Sequence, residues 1–414
     1  MDSDLDSDLA RADSSSLGVS ARVSASPRDG LIQAQPGSGQ TSVSTPAPRA
    51  RRRLDAVDWL RGLAVLLMIQ THLYDAWCNK AAKATVAYTW TRFIGGIPSR
   101  LFLLLVGVSM AIRFESQLAA KVDRATMVRT AAKRGLEVIA LAYLFRLQEY
   151  VLGGCWDWHD LYRVDILNCI GASMVVGAFI TAPWRGRPAI IPTLLAAAAV
   201  IALGPIIGPM HFPSYLPRPL TSYLGGQRPM AWFPLFPSLA WPLVGVLVGH
   251  YWIRSSGDAR KQALAFVITG AVGVVLMRAV GMVRAHNPYI IHYPSDLVQQ
   301  MGPGTFFYRL GQIGPLALLA YLVTRIFPRH WFSLMRLFGQ TSLLIYWVHV
   351  ELVYGLLLGR LHNRLSMWGA TVGLVLMTAA MAGVAKLRLK YWHGWRKFSV
   401  PKPAGNLPAP LGPL

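Results

Sequence analysis

The chain has 414 residues, 53% of them hydrophobic and only 14% charged, whereas soluble domains are charged at about one residue in four; this excludes an ordinary soluble enzyme. The formal net charge is +22, but the Lys and Arg residues are scattered between apolar stretches, so they read as topology signals and exclude nucleic acid as a partner. Three cysteines are too few for a disulfide framework.

Residues 1–53 are rich in Ser, Asp, Pro and Gly, repeat Asp-Ser-Asp-Leu between Asp2 and Leu9, and lack aromatics. Such a segment buries too little to fold, and a disordered cytoplasmic tail is expected. It ends in Arg49, Arg51, Arg52 and Arg53, which anionic lipid attracts. The tail lacks the apolar core and cleavage site of a signal peptide, so the first apolar span is expected to be a retained anchor.

Membrane spans are predicted at 57–77, 95–112, 134–152, 164–182, 189–209, 232–253, 262–283, 305–326, 337–358 and 366–386. Runs of about twenty apolar residues suffice to cross roughly 30 Å of hydrocarbon as helices, and no period-two alternation suggests a barrel. Pro192, Pro205 and Pro209 could bend the fifth span or make it re-entrant. Connections after odd-numbered spans carry few basic residues, while the even-numbered ones and the flanks are rich in them, including Arg113, Lys121, Arg124, Arg129, Lys133 and Arg134 in one loop. By the positive-inside rule both termini are cytoplasmic. The expected fold is an all-α polytopic membrane protein of about ten transmembrane helices, with its domain at 54–390 and a basic, Pro-rich tail at 391–414.

Two outer connections, 210–231 and 284–304, are long and rich in Pro, Gly, Tyr and His, including Pro213, Tyr215, Tyr223, His286, His292 and Tyr293. They read either as lids or as interfacial caps. Cys78 and Cys155 fall on the same predicted side and are a candidate pair, while Cys169 reads as packing.

Ionisable groups inside a membrane are costly and mark cavities or partners. Each span's direction gathers them on the outer side: His72 and Asp75 in span 1, Arg100 in span 2, Arg146 and Glu149 in span 3. Asp165 and Asn168 open span 4, Arg278 lies in span 7, and His349 and Glu351 lie in span 9. Turned inward, they would line a polar chamber. At 100° per residue, the eleven steps from Arg61 to His72 end about 20° from a whole number of turns and rise roughly 16 Å, so the two share a face. Asp58 and Asp75 stand three residues from Arg61 and His72, each a carboxylate on its own stripe. A carboxylate beside an imidazole suits a general base; a packed core histidine is the plainer alternative. Arg61 with Asp58 is either an anchoring ion pair or a contact for a phosphate-bearing donor. His349 is a candidate substrate contact, and Glu351, two residues on, faces elsewhere.

Asp58-x-x-Arg61 followed by ten residues and His72 resembles the signature of the transmembrane acyltransferase superfamily. The segments 58–64, 98–109 and 164–171 together resemble bacterial members of the heparan-alpha-glucosaminide N-acetyltransferase catalytic-domain family, over about residues 54–390. That resemblance implies acyl transfer from cytoplasmic acyl-CoA, typically acetyl-CoA, to a hydroxyl or amine of a glycan or glycolipid on the far side. It makes His72 the catalytic histidine and Arg61 the donor-side arginine, in a bacterial inner membrane. Arg100, Arg146, Asp165, Asn168, Arg278 and His349 are then candidates for substrate or transition-state contact, and no metal ion is expected. Two other readings stay open: a transporter or flippase, which a polar chamber also suits, and a lipid-bound scaffold.

Overall fold

The computed structural model describes residues 54–152, 157–184, 187–210, 216–225, 231–286, 301–328, 330 and 333–395. The predicted tail of 1–53, much of the two outer connections, Cys155 and the last nineteen residues lie outside them. The described residues are helical, and their only β-type pairings are two isolated bridges, Cys78 with Leu365 and Val164 with Ala231.

The principal helices are α1 (Asp55–Trp77), α2 (Lys80–Lys83), α3 (Val86–Gly95), α4 (Pro98–Ala119), α5 (Arg124–Leu152) and α6 (Ile166–Thr181). They continue as α7 (Ile190–Ile207), α8 (Arg218–Leu224), α9 (Leu235–Ser238), α10 (Ala240–Ser255) and α11 (Ala259–His286). Last come α12 (Pro303–Ile326), α13 (Ser333–Gln340), α14 (Ser342–Tyr354) and α15 (Met367–Trp395). Local chemistry sets several of these ends. Proline opens α4 and α12, where its missing N–H costs nothing. Asp165 and Asn168 form a reciprocal capping box that starts α6. Helix α7 continues through Pro205 without a break, so no re-entrant loop interrupts Ile190–Ile207.

Seven stretches are long and apolar enough to cross a membrane, among them Val86–Ala119, Ala259–Val283 and Met367–Tyr391. They account for seven of the ten predicted spans. The other three predicted spans fall on α1, on α5 and on the α13–α14 pair. These are helical too, but α1 and α5 carry charged groups, and the last is broken at Thr341 into pieces of 8 and 13 residues. Helices α1 and α5 carry His72 and Arg146, while α14, which carries His349, is apolar but only 13 residues long.

The most extensive helix pairings are α4 with α10, α5 with α6, and α11 with α12. Helix α1 lies among α4, α12, α13, α14 and α15, which makes it the central element. Its crossing with α13 leaves no room for side chains: a Cβ at Gly62 would strike the Met335 carbonyl, and one at Gly339 the Asp58 carbonyl. Without a hydrophobic drive between helices in lipid, such small-residue contacts let backbones approach and gain dispersion. They also fix the rotation of α1 about its axis, and so the direction of Arg61 and His72. Large apolar side chains of α7, α11 and α15, such as Ile191, Leu195, Val275, Val375 and Leu376, are exposed, as expected of surfaces that lipid covers.

Candidate functional site

A cavity of about 930 Å³ lies inside the helical domain, and α1 contributes Arg61, Met68, Thr71, His72 and Asp75 to its wall. Arg61, Met68, His72 and Asp75 are spaced seven, four and three residues apart, which is one stripe of an α-helix. The rise from Arg61 to His72 is roughly 16 Å, so these two residues mark widely separated parts of one cavity. The wall also carries apolar side chains, including Met68 of α1 and Phe102, Leu103 and Val106 of α4.

The surroundings of His72 define its tautomer. Nδ1 of His349 lies 2.7 Å from the carbonyl oxygen of Ile345, an atom that only accepts, so this nitrogen carries a proton. His349 is fully buried, where a charge is disfavoured, and with the ring neutral its Nε2 is an acceptor. That Nε2 is 3.0 Å from Nδ1 of His72, which therefore donates to it. The proton of His72 sits on Nδ1, and Nε2 holds the lone pair that a general base needs. The rings lie nearly parallel at 5.2 Å, and Tyr354 meets His72 edge-on at 5.5 Å.

Asp75, expected beside His72, shares the cavity wall with it but makes its hydrogen bonds to other groups. Its carboxylate accepts from Arg92 of α3 at 3.2 Å and from the Tyr354 hydroxyl at 3.3 Å. Spacing of three along a helix puts two residues on one stripe but does not make them touch, and Asp75 lies in the last turn of α1, where α3 approaches. The imidazole partner is His349, which stands behind His72 and is not itself in the cavity wall. His349→Ala is therefore expected to lower kcat for the reaction at His72 about a hundredfold, as for a reacting group held out of line, with KM for the donor unchanged. His349→Gln, whose carbonyl can accept from Nδ1, is expected to recover part of the loss. An alanine variant with wild-type kcat would remove the orienting role.

Arg61 is held by Asp58 at 3.5 Å and donates to the Ser109 hydroxyl of α4 at 2.9 Å. Asp58 itself is not in the wall. Arg146 is buried and pairs with Glu149 and Asp165, while Arg163 lies 3.8 Å from Glu149, 3.7 Å from Asp165 and 3.4 Å from Asp160. Arg146, Glu149, Arg163 and Asp165 all line the cavity as one charge network. Asn168 is spent on the helix cap and on the Tyr223 hydroxyl, 3.2 Å away, and does not reach the cavity.

Arg278 also departs from expectation, because it is exposed on α11 and absent from the wall. Helix α11 presses Gly273 against α12, and five further residues turn Arg278 about 140° away from that face. Arg100 does line the cavity, together with Arg309, Ser109, Tyr346 and Tyr354, which the sequence reading did not single out. Arg309 stands near the start of a predicted span, so the same cost of intramembrane charge that marked Arg100 would have marked it.

A family model described as heparan-alpha-glucosaminide N-acetyltransferase, catalytic, matches residues 53–294, well over half of the chain. No curated protein matches it. The matched segment contains Arg61, His72, Arg100 and the Arg146 network, whereas Arg309, His349 and Tyr354 lie beyond it.

Proposed function

The chain belongs to the heparan-alpha-glucosaminide N-acetyltransferase catalytic family, and on that premise we propose that it transfers an acetyl group from acetyl-CoA to an amine or hydroxyl of a glycan, with His72 as general base. The supporting observation is the relay from the Ile345 carbonyl through His349 to His72, which leaves an unprotonated nitrogen on a ring of the cavity wall. We place the donor at the Arg61 end, which the positive-inside rule makes cytoplasmic, and the acceptor at the His72 end. The membrane is then a bacterial inner membrane, with both termini in the cytoplasm.

In this scheme the CoA phosphates lie among arginines of the Arg61 end, such as Arg113 and Arg134, which also line the cavity. The acyl arm extends along the apolar side chains beside α1 toward His72. The acceptor nitrogen attacks the thioester carbon while Nε2 of His72 removes its proton. The C–N bond forms, the C–S bond breaks, and the departing thiolate takes that proton from Nε2, giving the amide and free CoA. A hydroxyl acceptor follows the same course and gives an ester.

Purified full-length chain supplied with acetyl-CoA and glucosamine is expected to release CoA and form N-acetylglucosamine in equal amounts. Uptake of the sugar into vesicles without any dependence on acetyl-CoA, and with no acetylated product, would refute the proposal and point to transport.

A further inference from the structure

Helix α3 runs back along the outer end of α1. Gly95 packs on the side chain of Thr71, Arg92 reaches Asp75 at 3.2 Å, and Tyr88 packs against the cluster that holds Trp77 and Cys78. Tyr88, Arg92 and Gly95 thus form the inner face of α3, and Arg92, Gly95 and Gly96 line the cavity. Val86, Trp90 and Ile94 make a stripe roughly 160° around the helix from that face, and all three are exposed. Helix α3 is therefore a single layer between the cavity and its surroundings.

The layer is incomplete beside α14. Asp75 and Arg92 line the cavity although their side chains are 44% and 59% exposed, and so does Tyr354, which is 40% exposed. The cavity accordingly meets the surface between α3 and the end of α14, where Asp75 accepts from both Arg92 and Tyr354. Just past Tyr354, Leu356 and Leu357 are largely exposed.

Helix α15 sets the depth of this opening. Exposed Trp368 in its first turn and Lys386 are eighteen residues apart, roughly 27 Å of helix, close to the roughly 30 Å of hydrocarbon. Trp368 therefore marks the outer edge, where tryptophan is favoured. The chain entering α15 is tied to the end of α1: Arg364 and Leu365 donate to the Trp77 carbonyl, and the Tyr74 and Thr371 hydroxyls are 2.7 Å apart. Asp75 thus lies near the depth of Trp368, and His72 roughly 4.5 Å deeper.

We propose that the acceptor glycan is the headgroup of a membrane lipid, which reaches Nε2 of His72 sideways from the outer leaflet, between α3 and α14. This rests on the acyltransferase reading and adds a lipid anchor to the acceptor. A polar opening at interfacial depth with an apolar rim suits an amphiphile, whose sugar enters while its chains stay among the lipids. Asp75, Arg92 and Tyr354 offer a carboxylate, a guanidinium and a hydroxyl to sugar hydroxyls, and Leu356, Leu357 and Trp90 meet the chains.

The test compares glucosaminyl phosphatidylinositol with its deacylated headgroup as acceptors for the purified full-length chain in mixed micelles. KM for the intact lipid is expected to be at least about tenfold below that for the headgroup, from apolar contact of the chains; an equal or higher value overturns the proposal. Joint replacement Leu356→Glu and Leu357→Glu is expected to raise KM for the lipid about tenfold and leave that for the headgroup unchanged, and equal changes for both acceptors overturn it. Should that variant fail to fold, wild type decides through the same lipid carrying a diazirine on its inositol. Photolabelling is expected within residues 86–96 or 342–357 and is displaced by excess unlabelled lipid; no displaceable label there overturns the lipid site. Such labelling in a chain that transfers no acetyl group keeps the lipid site and refutes the acyltransferase reading.

Discussion

Replacement of His72 by alanine is expected to lower kcat for acetyl transfer by about two to four orders of magnitude, the usual contribution of a positioned general base, while KM for acetyl-CoA stays close to wild type. The split follows from the geometry. The donor's charged groups are assigned to arginines roughly 16 Å away along α1, so they do not report on the ring. His72 touches His349 and Tyr354, and the nearby Asp75 keeps Arg92 as its ion-pair partner, so loss of the ring is not expected to unpair a buried ion. A variant that keeps its fold and its rate would show that the ring is a packing residue. Measurement of initial rates against acetyl-CoA concentration separates the two outcomes.

The second large effect concerns stability. Arg146 is only 6% exposed and stands between Glu149 and Asp165, so Arg146→Ala leaves two carboxylates facing each other with reduced neutralisation. Removing one partner from a buried ionic group costs about 3–5 kcal/mol. Because Arg163 remains within 3.8 Å of both acids, the low end, about 3 kcal/mol, is expected. It should appear as a lowered thermal midpoint in detergent. Adding Glu149→Gln and Asp165→Asn removes the repulsion and is expected to restore most of the midpoint. An unchanged midpoint in Arg146→Ala would contradict the network's structural role.

The stripe on α1 was legible in the sequence because Arg61 and His72 lie on one continuous helix, where rotation per residue is fixed. Residue spacing could not show which groups meet across helices. Asp75 has the spacing of a partner for His72 but meets Arg92, and His349, 277 positions away, meets the imidazole. Similarly, nothing local to α11 tells which way Arg278 points; that depends on the close contact of Gly273 with α12. The apolar spans were readable where helices face lipid. Helices α1 and α5 dilute their apolar runs with charged groups such as Arg61, Asp75, Arg146 and Glu149, and the predicted span at 337–358 is divided at Thr341, a break that its apolar run did not announce. Arg309 was detectable by the rule that singled out Arg100, but the space it fills comes from Gly96, on a distant segment whose missing side chain makes room for it.

The central claim is that one cavity links a donor at the Arg61 end with a base at the His72 end. The most direct measurement uses the chain reconstituted in vesicles, with radiolabelled acetyl-CoA outside and glucosamine trapped inside. Molecules inserted with the Arg61 end outward are expected to deliver label to the trapped sugar, and His72→Ala vesicles are expected to deliver almost none. Label on the sugar at equal rates in wild type and His72→Ala, or none at all with wild type, would contradict the account.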